Sequence, residues 1–100
     1  MVIILTMQEE KQHIHIVISG RVQFVMFRDF TNRMAQKMGL VGTVMNNEDG
    51  TVEVYAQGMK QDLDTFIERL HKGSLLSNVE SVEVEKIETL GDYKDFVIMY

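Results

Sequence analysis

Apolar residues along this chain follow two rhythms, one of period two in short runs and one of spacing three and four in longer ones. From His13 to Ser19, Ile14, Ile16 and Ile18 alternate with other residues, the mark of a strand covered on one face. Phe27, Phe30, Met34 and Met38 then recur at helical spacing and predict a helix that ends at Gly39. Val44 sits in a short run that stops at Asn47-Glu48-Asp49-Gly50, after which Val52, Val54 and Ala56 alternate with Thr51, Glu53 and Tyr55. An Asp-Gly step between two such runs predicts a hairpin. Leu63, Phe66, Ile67 and Leu70 mark the inner face of a second helix closed by Gly73, with Asp62, Asp64, Glu68 and Lys72 on its outer face. A run with Val79, Val82 and Val84 follows, then a polar loop through Gly91 and a last apolar strand from Phe96 to Tyr100.

The order strand, helix, strand, strand, helix, strand, with a short closing strand, predicts an α+β fold. It is the ferredoxin-like split β-α-β sandwich, with two helices on one face of an antiparallel sheet. The domain is expected to span 13–100, with 1–12 as an accessory N-terminal tail and Met7 as an alternative start. At 100 residues the chain has room for one core and no second. Hydrophobic residues at 45% and charged ones at 25% exclude a disordered or membrane-spanning chain. The apolar opening Met1-Val2-Ile3-Ile4-Leu5-Thr6 is too short for a span and lacks the flank and cleavage site of a secretion signal.

Charge and residue types narrow the chemistry further. A formal net charge of -5 argues against a general nucleic-acid binder, which neutralises backbone phosphates with lysine and arginine. The absence of cysteine removes disulfides, thiolate catalysis and cysteine-ligated metals, and leads us to expect a cytoplasmic protein without membrane partners. His13 and His15 lie two apart on one strand, but no third ligand has sensible spacing, so no metal and no cofactor are expected. Tyr55 is the one aromatic on the central strands able to stack an RNA base, which is too little for an RNA-binding reading. Glu80, Glu83, Glu85 and Glu88 read as a solvated sheet edge that discourages unwanted pairing.

One place stands out against this background. Gly20-Arg21-Val22-Gln23-Phe24-Val25-Met26-Phe27-Arg28 sets a short turn and an arginine between the first strand and the first helix. The first N–H groups of a helix have no partner within it, and the helix dipole adds partial positive charge, so this is a place to hold an anion such as phosphate. Gln23 either braces the loop through its amide or faces solvent. The hairpin, for its part, presents Asn46 at the end of its first strand.

The first of these stretches resembles the acylphosphatase signature Gly-x-Val-Gln-Gly-Val-x-Phe-Arg. The second, Gly42-Thr43-Val44-Met45-Asn46, resembles that family's Gly-x-Val-x-Asn segment, and the strand Gly50-Thr51-Val52-Glu53-Val54 follows it as expected. The resemblance implies a monomeric, metal-independent hydrolase of small acyl phosphates that releases a carboxylate and inorganic phosphate, the latter a product or inhibitor. Residues Gln23, Phe24, Val25, Met26, Phe27 and Arg28 would form the phosphate-binding loop. Arg28 would bind the phosphoryl group, and Asn46 would orient the attacking water. The types suit the roles: a guanidinium meets two phosphate oxygens at once and stays charged, and an amide accepts from a water without titrating.

This chain departs from the signature at two positions. Phe24 stands where the signature has glycine, and Met26 occupies a position of small or varied residues. Were the loop to need positive φ at Phe24, the strain would be roughly 1–2 kcal/mol, and the ring could crowd the site. An inactive anion-binding module on the same fold is therefore the alternative expectation.

Overall fold

A computed structural model describes residues 10–100. The elements are β1 (Lys11–Arg21), α1 (Phe27–Lys37), β2 (Val41–Asn46), β3 (Val52–Met59), α2 (Lys60–Lys72), β4 (Asn78–Ile87) and β5 (Phe96–Met99). They follow the predicted order. β1 starts ahead of His13, taking in Lys11 and Gln12 from the expected tail, while residues 1–9 of that tail lie outside the described residues. Both helices stop where glycine releases the chain into positive φ, Gly39 at 74° and Gly73 at 75°.

The strands form a single sheet in the order β4-β1-β3-β2-β5. β4, β1, β3 and β2 pair antiparallel, as expected, and β5 adds itself parallel to β2, so the complete sheet is mixed. The parallel pairing has a simple cause. β4 ends at the same end of the sheet where β2 begins, and the chain crosses to the far edge at that end, which leaves β5 only one direction to run.

The crossing segment covers the sheet face away from the helices. There the Thr89 carbonyl and the Tyr93 hydroxyl each lie 2.8 Å from a ring nitrogen of His13. The Gly91 N–H donates to Gln57 Oε1 at 2.7 Å, and Gln57 Nε2 returns a bond to the Gly91 carbonyl at 3.2 Å. His13 and Gln57 are buried polar residues on the face away from the helices, and the loop satisfies both.

Ile14, Ile16, Ile18, Val44, Val52, Val54 and Ala56 line the opposite face, where Phe27, Met34 and Ala35 of α1 and Leu63, Phe66 and Leu70 of α2 cover them. Burying such side chains is the main favourable term in folding, at about 25 cal/mol per Å². Val79 and Val82 of β4 pack against this core, while Val84, on the same face opposite Ile16, is exposed. Glu80, Glu83 and Glu85 on that edge are solvated, as the acidic run suggested. Among the described residues, no helix is long and apolar enough to cross a membrane.

Gly42 is the residue on which the β2 side of the sheet turns. Its φ is +147°, and a Cβ built there would stand 1.8 Å from the Tyr55 carbonyl oxygen, while its N–H donates to the Asp95 carbonyl at 3.0 Å. A glycine here lets β2 accept β3 on one side and the incoming β5 on the other. Gly42→Ala is expected to lower stability by roughly 3 kcal/mol or more, a steric clash of backbone rather than a repacking of side chains. Chemical denaturation would show it; a loss below about 1 kcal/mol would mean that the strands are not held this closely.

Candidate active site

The loop between β1 and α1 is pinned at both ends by buried apolar side chains, Val22 and Phe27, each 1% exposed. Between those anchors the main chain has few residues in which to reverse. Phe24 at φ 60° and Met26 at φ 61° are the only non-glycine residues with positive φ among the described residues, and Val25 between them is not one of them. Alternation of this kind turns successive N–H groups toward one side and builds an anion-binding concavity. From Phe24 to Asp29 the main-chain N–H groups have no acceptor among the described residues. The positive end of the α1 dipole points at the same spot. An anion of phosphate size is what such a cradle attracts.

Gln23 braces the loop. Its Nε2 donates to the Asn47 and Thr51 carbonyls, both at 2.8 Å, and so ties the β1–α1 loop to the β2–β3 turn. That turn is itself organised by the Asn47 N–H bonding to the Thr51 carbonyl at 2.9 Å and by Gly50 at φ 94°. Arg28 and Asn46 therefore belong to segments that are held together by one side-chain amide.

The two residues line the same pocket, a cavity of about 380 Å³, together with Val22, Phe24, Met26, Phe27, Asp29, Ile98 and Tyr100. Asn46 Oδ1 is buried and has no hydrogen-bond partner among the described residues. A buried acceptor without a donor is costly unless water or a ligand completes it. Arg28 makes no ion pair among the described residues; the nearby carboxylate of Asp29 is engaged by Arg33 at 3.1 Å. Instead the Arg28 guanidinium lies 4.9 Å from the centroid of the Tyr100 ring, a cation–π contact that steadies it while leaving its N–H groups free. The Phe24 ring is 96% exposed and stands at the rim, so the pocket remains open.

Sequence reasoning put Ile98 and Tyr100 in or at the end of the last strand and placed neither at the site. Both arrive through β5, whose place beside β2 no local pattern encodes. A larger cavity of about 480 Å³ lies between the helices, lined by Phe30, Arg33, Met34, Lys37, Arg69, Lys72 and Gly73, and contains neither Arg28 nor Asn46. His13 and His15, the sequence's candidates for a metal, are otherwise engaged. His13 meets Thr89 and Tyr93, while His15 Nε2 lies 2.5 Å from Glu53 Oε2 and its ring stacks on Tyr55 at 4.6 Å between centroids. Burial, with a smaller contribution from Tyr55, pushes the Tyr93 phenol above its usual value, so it keeps its proton for this contact.

The strain in the loop is measurable. Phe24→Gly relieves an unfavourable φ at a side chain that makes almost no packing contacts, and loses some of that gain to the greater freedom of glycine in the unfolded chain. A net increase in stability of about 0.5–1 kcal/mol is expected from thermal or denaturant unfolding. A decrease would show that the ring is packed after all.

The acylphosphatase family model matches residues 14–98 of the chain. The acylphosphatase of Geobacillus thermodenitrificans is 38% identical over 89 residues, which is 89% of this chain and 95% of that protein. The acylphosphatase of Staphylococcus aureus strain Newman is 45% identical over 86 residues, covering 85% and 96% respectively. The crystal structure of acylphosphatase from Bacillus subtilis is similar with a TM-score of 0.86 and 36% identity, over 91% of this chain and 100% of that one. The matched region contains the β1–α1 loop, Arg28 in the first turn of α1 and the strand that carries Asn46, and the chain belongs to the acylphosphatase family.

Proposed function

We propose that this chain hydrolyses the carboxyl-phosphate bond of small acyl phosphates, giving a carboxylate and inorganic phosphate, with its own residues as the whole catalytic apparatus. The observation that carries the reading is what one pocket gathers: a loop whose N–H groups have no acceptor among the described residues, the Arg28 guanidinium, which makes no ion pair among them, and the Asn46 amide oxygen, which has no donor among them. The phosphoryl oxygens accept from the loop N–H groups and from Arg28, which offset the charge that develops as phosphorus is attacked. Asn46 Oδ1 accepts a hydrogen bond from a water and holds the water's lone pair toward phosphorus.

The new bond joins the water oxygen to phosphorus, the bond from phosphorus to the carboxyl oxygen breaks, and the water's proton passes to a phosphoryl oxygen. A carboxylate is a weakly basic leaving group, so no acid is required to protonate it. Positioning and charge stabilisation are the larger part of such phosphoryl transfer, which fits a site without a titrating base. Asp29, a carboxylate beside an anion site, is offset by its ion pair with Arg33. Inorganic phosphate fits the same cradle and should compete with substrate.

The alternative expectation, an inactive module, rested on strain and crowding at Phe24. The positive φ is present at Phe24, but the ring is exposed and leaves the pocket open, and the named relatives favour the enzyme. A cytoplasmic setting is supported by the lack of cysteine.

Arg28→Ala is expected to lower kcat/KM for acetyl phosphate by about 10³, and Asn46→Ala by about 10², with both proteins remaining folded. Phosphate release assays on purified protein, corrected for spontaneous hydrolysis, provide the measurement. Rates unchanged in either variant would remove that residue from the mechanism, and a wild type no faster than buffer would end the reading.

A further inference from the structure

Phe24 and Met26 hold backbone conformations suited to glycine, yet neither side chain is used to build the core. Phe24 is 96% exposed and Met26 72% exposed. Strain of this kind persists where surrounding structure enforces it and clusters at functional sites. Packing gives no return for keeping a phenyl ring and a thioether here, so the return has to lie in what the side chains meet from solution. Both line the pocket of Arg28 and Asn46, and so do Ile98 and Tyr100, the latter 99% exposed. A single exposed apolar residue needs no explanation, but three gathered on the mouth of one polar pocket do.

The pocket is thus divided. Its floor offers N–H groups, a guanidinium and an amide; its rim offers an aromatic ring, a thioether, an isoleucine and a second ring. An acyl phosphate is divided in the same way, with oxygens at one end and the acyl group at the other. With the phosphoryl group seated in the cradle, the acyl group has to leave through the rim. The curl of the loop contributes directly, because it turns the N–H groups of these residues inward and their side chains outward.

We infer that Phe24, together with Met26 and Tyr100, forms a subsite for the acyl group that selects acyl phosphates bearing an aromatic or bulky apolar acyl group over acetyl phosphate. This rests on the hydrolase reading above and adds the substrate class to it. Phe24 is a specificity residue here: it touches the non-reacting part of the substrate and takes no part in bond making.

The test compares kcat/KM for benzoyl phosphate and acetyl phosphate in the wild type, Phe24→Gly, Phe24→Ser and Phe24→Tyr. Phe24→Ser keeps a Cβ at positive φ and removes only the ring, so it separates loop strain from ring contact. The wild type is expected to prefer benzoyl phosphate. The preference should fall roughly three- to tenfold in both ring-deleted variants, mainly through KM, and survive in Phe24→Tyr, as one aromatic contact would give. If the two substrates change in parallel, so that their ratio is constant, the subsite is overturned while the hydrolase stands. If the wild type hydrolyses neither substrate, both readings fall together.

Discussion

The curl of main chain between Val22 and Phe27 is the constraint on which the rest depends. Two buried anchors fix where it starts and stops, and within that span the chain must reverse from the end of a strand into the first turn of a helix. The solution alternates the sign of φ through Phe24, Val25 and Met26, which leaves a set of N–H groups with no acceptor among the described residues. Folding therefore pays for a polar concavity that only an anion or water can complete. Arg28, one residue into the helix, adds a full charge to the partial charges of the dipole.

A cradle of this kind is useful only if it stays in place and faces something. Gln23 meets the first need by spending its amide on two carbonyls of the neighbouring hairpin turn. Those carbonyls also serve the turn's own bonds, so loop and turn share one network, and small displacements at either are resisted by both. The second need is met by Asn46, the last residue of β2, delivered to the pocket by the same strand whose Gly42 lets β3 approach so closely. Geometry at the site thus traces back to a missing side chain at the other end of β2.

The parallel β5 finishes the arrangement. By crossing beneath the sheet the chain satisfies His13 and Gln57 on one face, and by emerging beside β2 it brings Ile98 and Tyr100 to the pocket mouth. One connection supplies a lid for the open face of the sheet and a wall for the site. The Tyr100 ring then holds the Arg28 guanidinium without neutralising it, as a carboxylate would.

The sequence by itself determined the elements and their order, because each is written in short-range spacing: alternation at Ile14, Ile16 and Ile18, helical intervals from Phe27 to Met38, and glycines at Gly39 and Gly73 that only a helix end requires. It also brought out the loop and Asn46, since the two motifs are contiguous in the chain. The role of Gln23, the fate of His13, the parallel run of β5 and the presence of Ile98 and Tyr100 at the pocket were decided by tertiary structure alone. Each depends on a partner far along the chain, such as Thr51 for Gln23 or Tyr93 for His13, and no local period records which distant group will stand opposite. Phe24 lies between the two cases: its residue type announced a departure from glycine, and only the fold showed that the backbone keeps the glycine conformation and turns the ring outward.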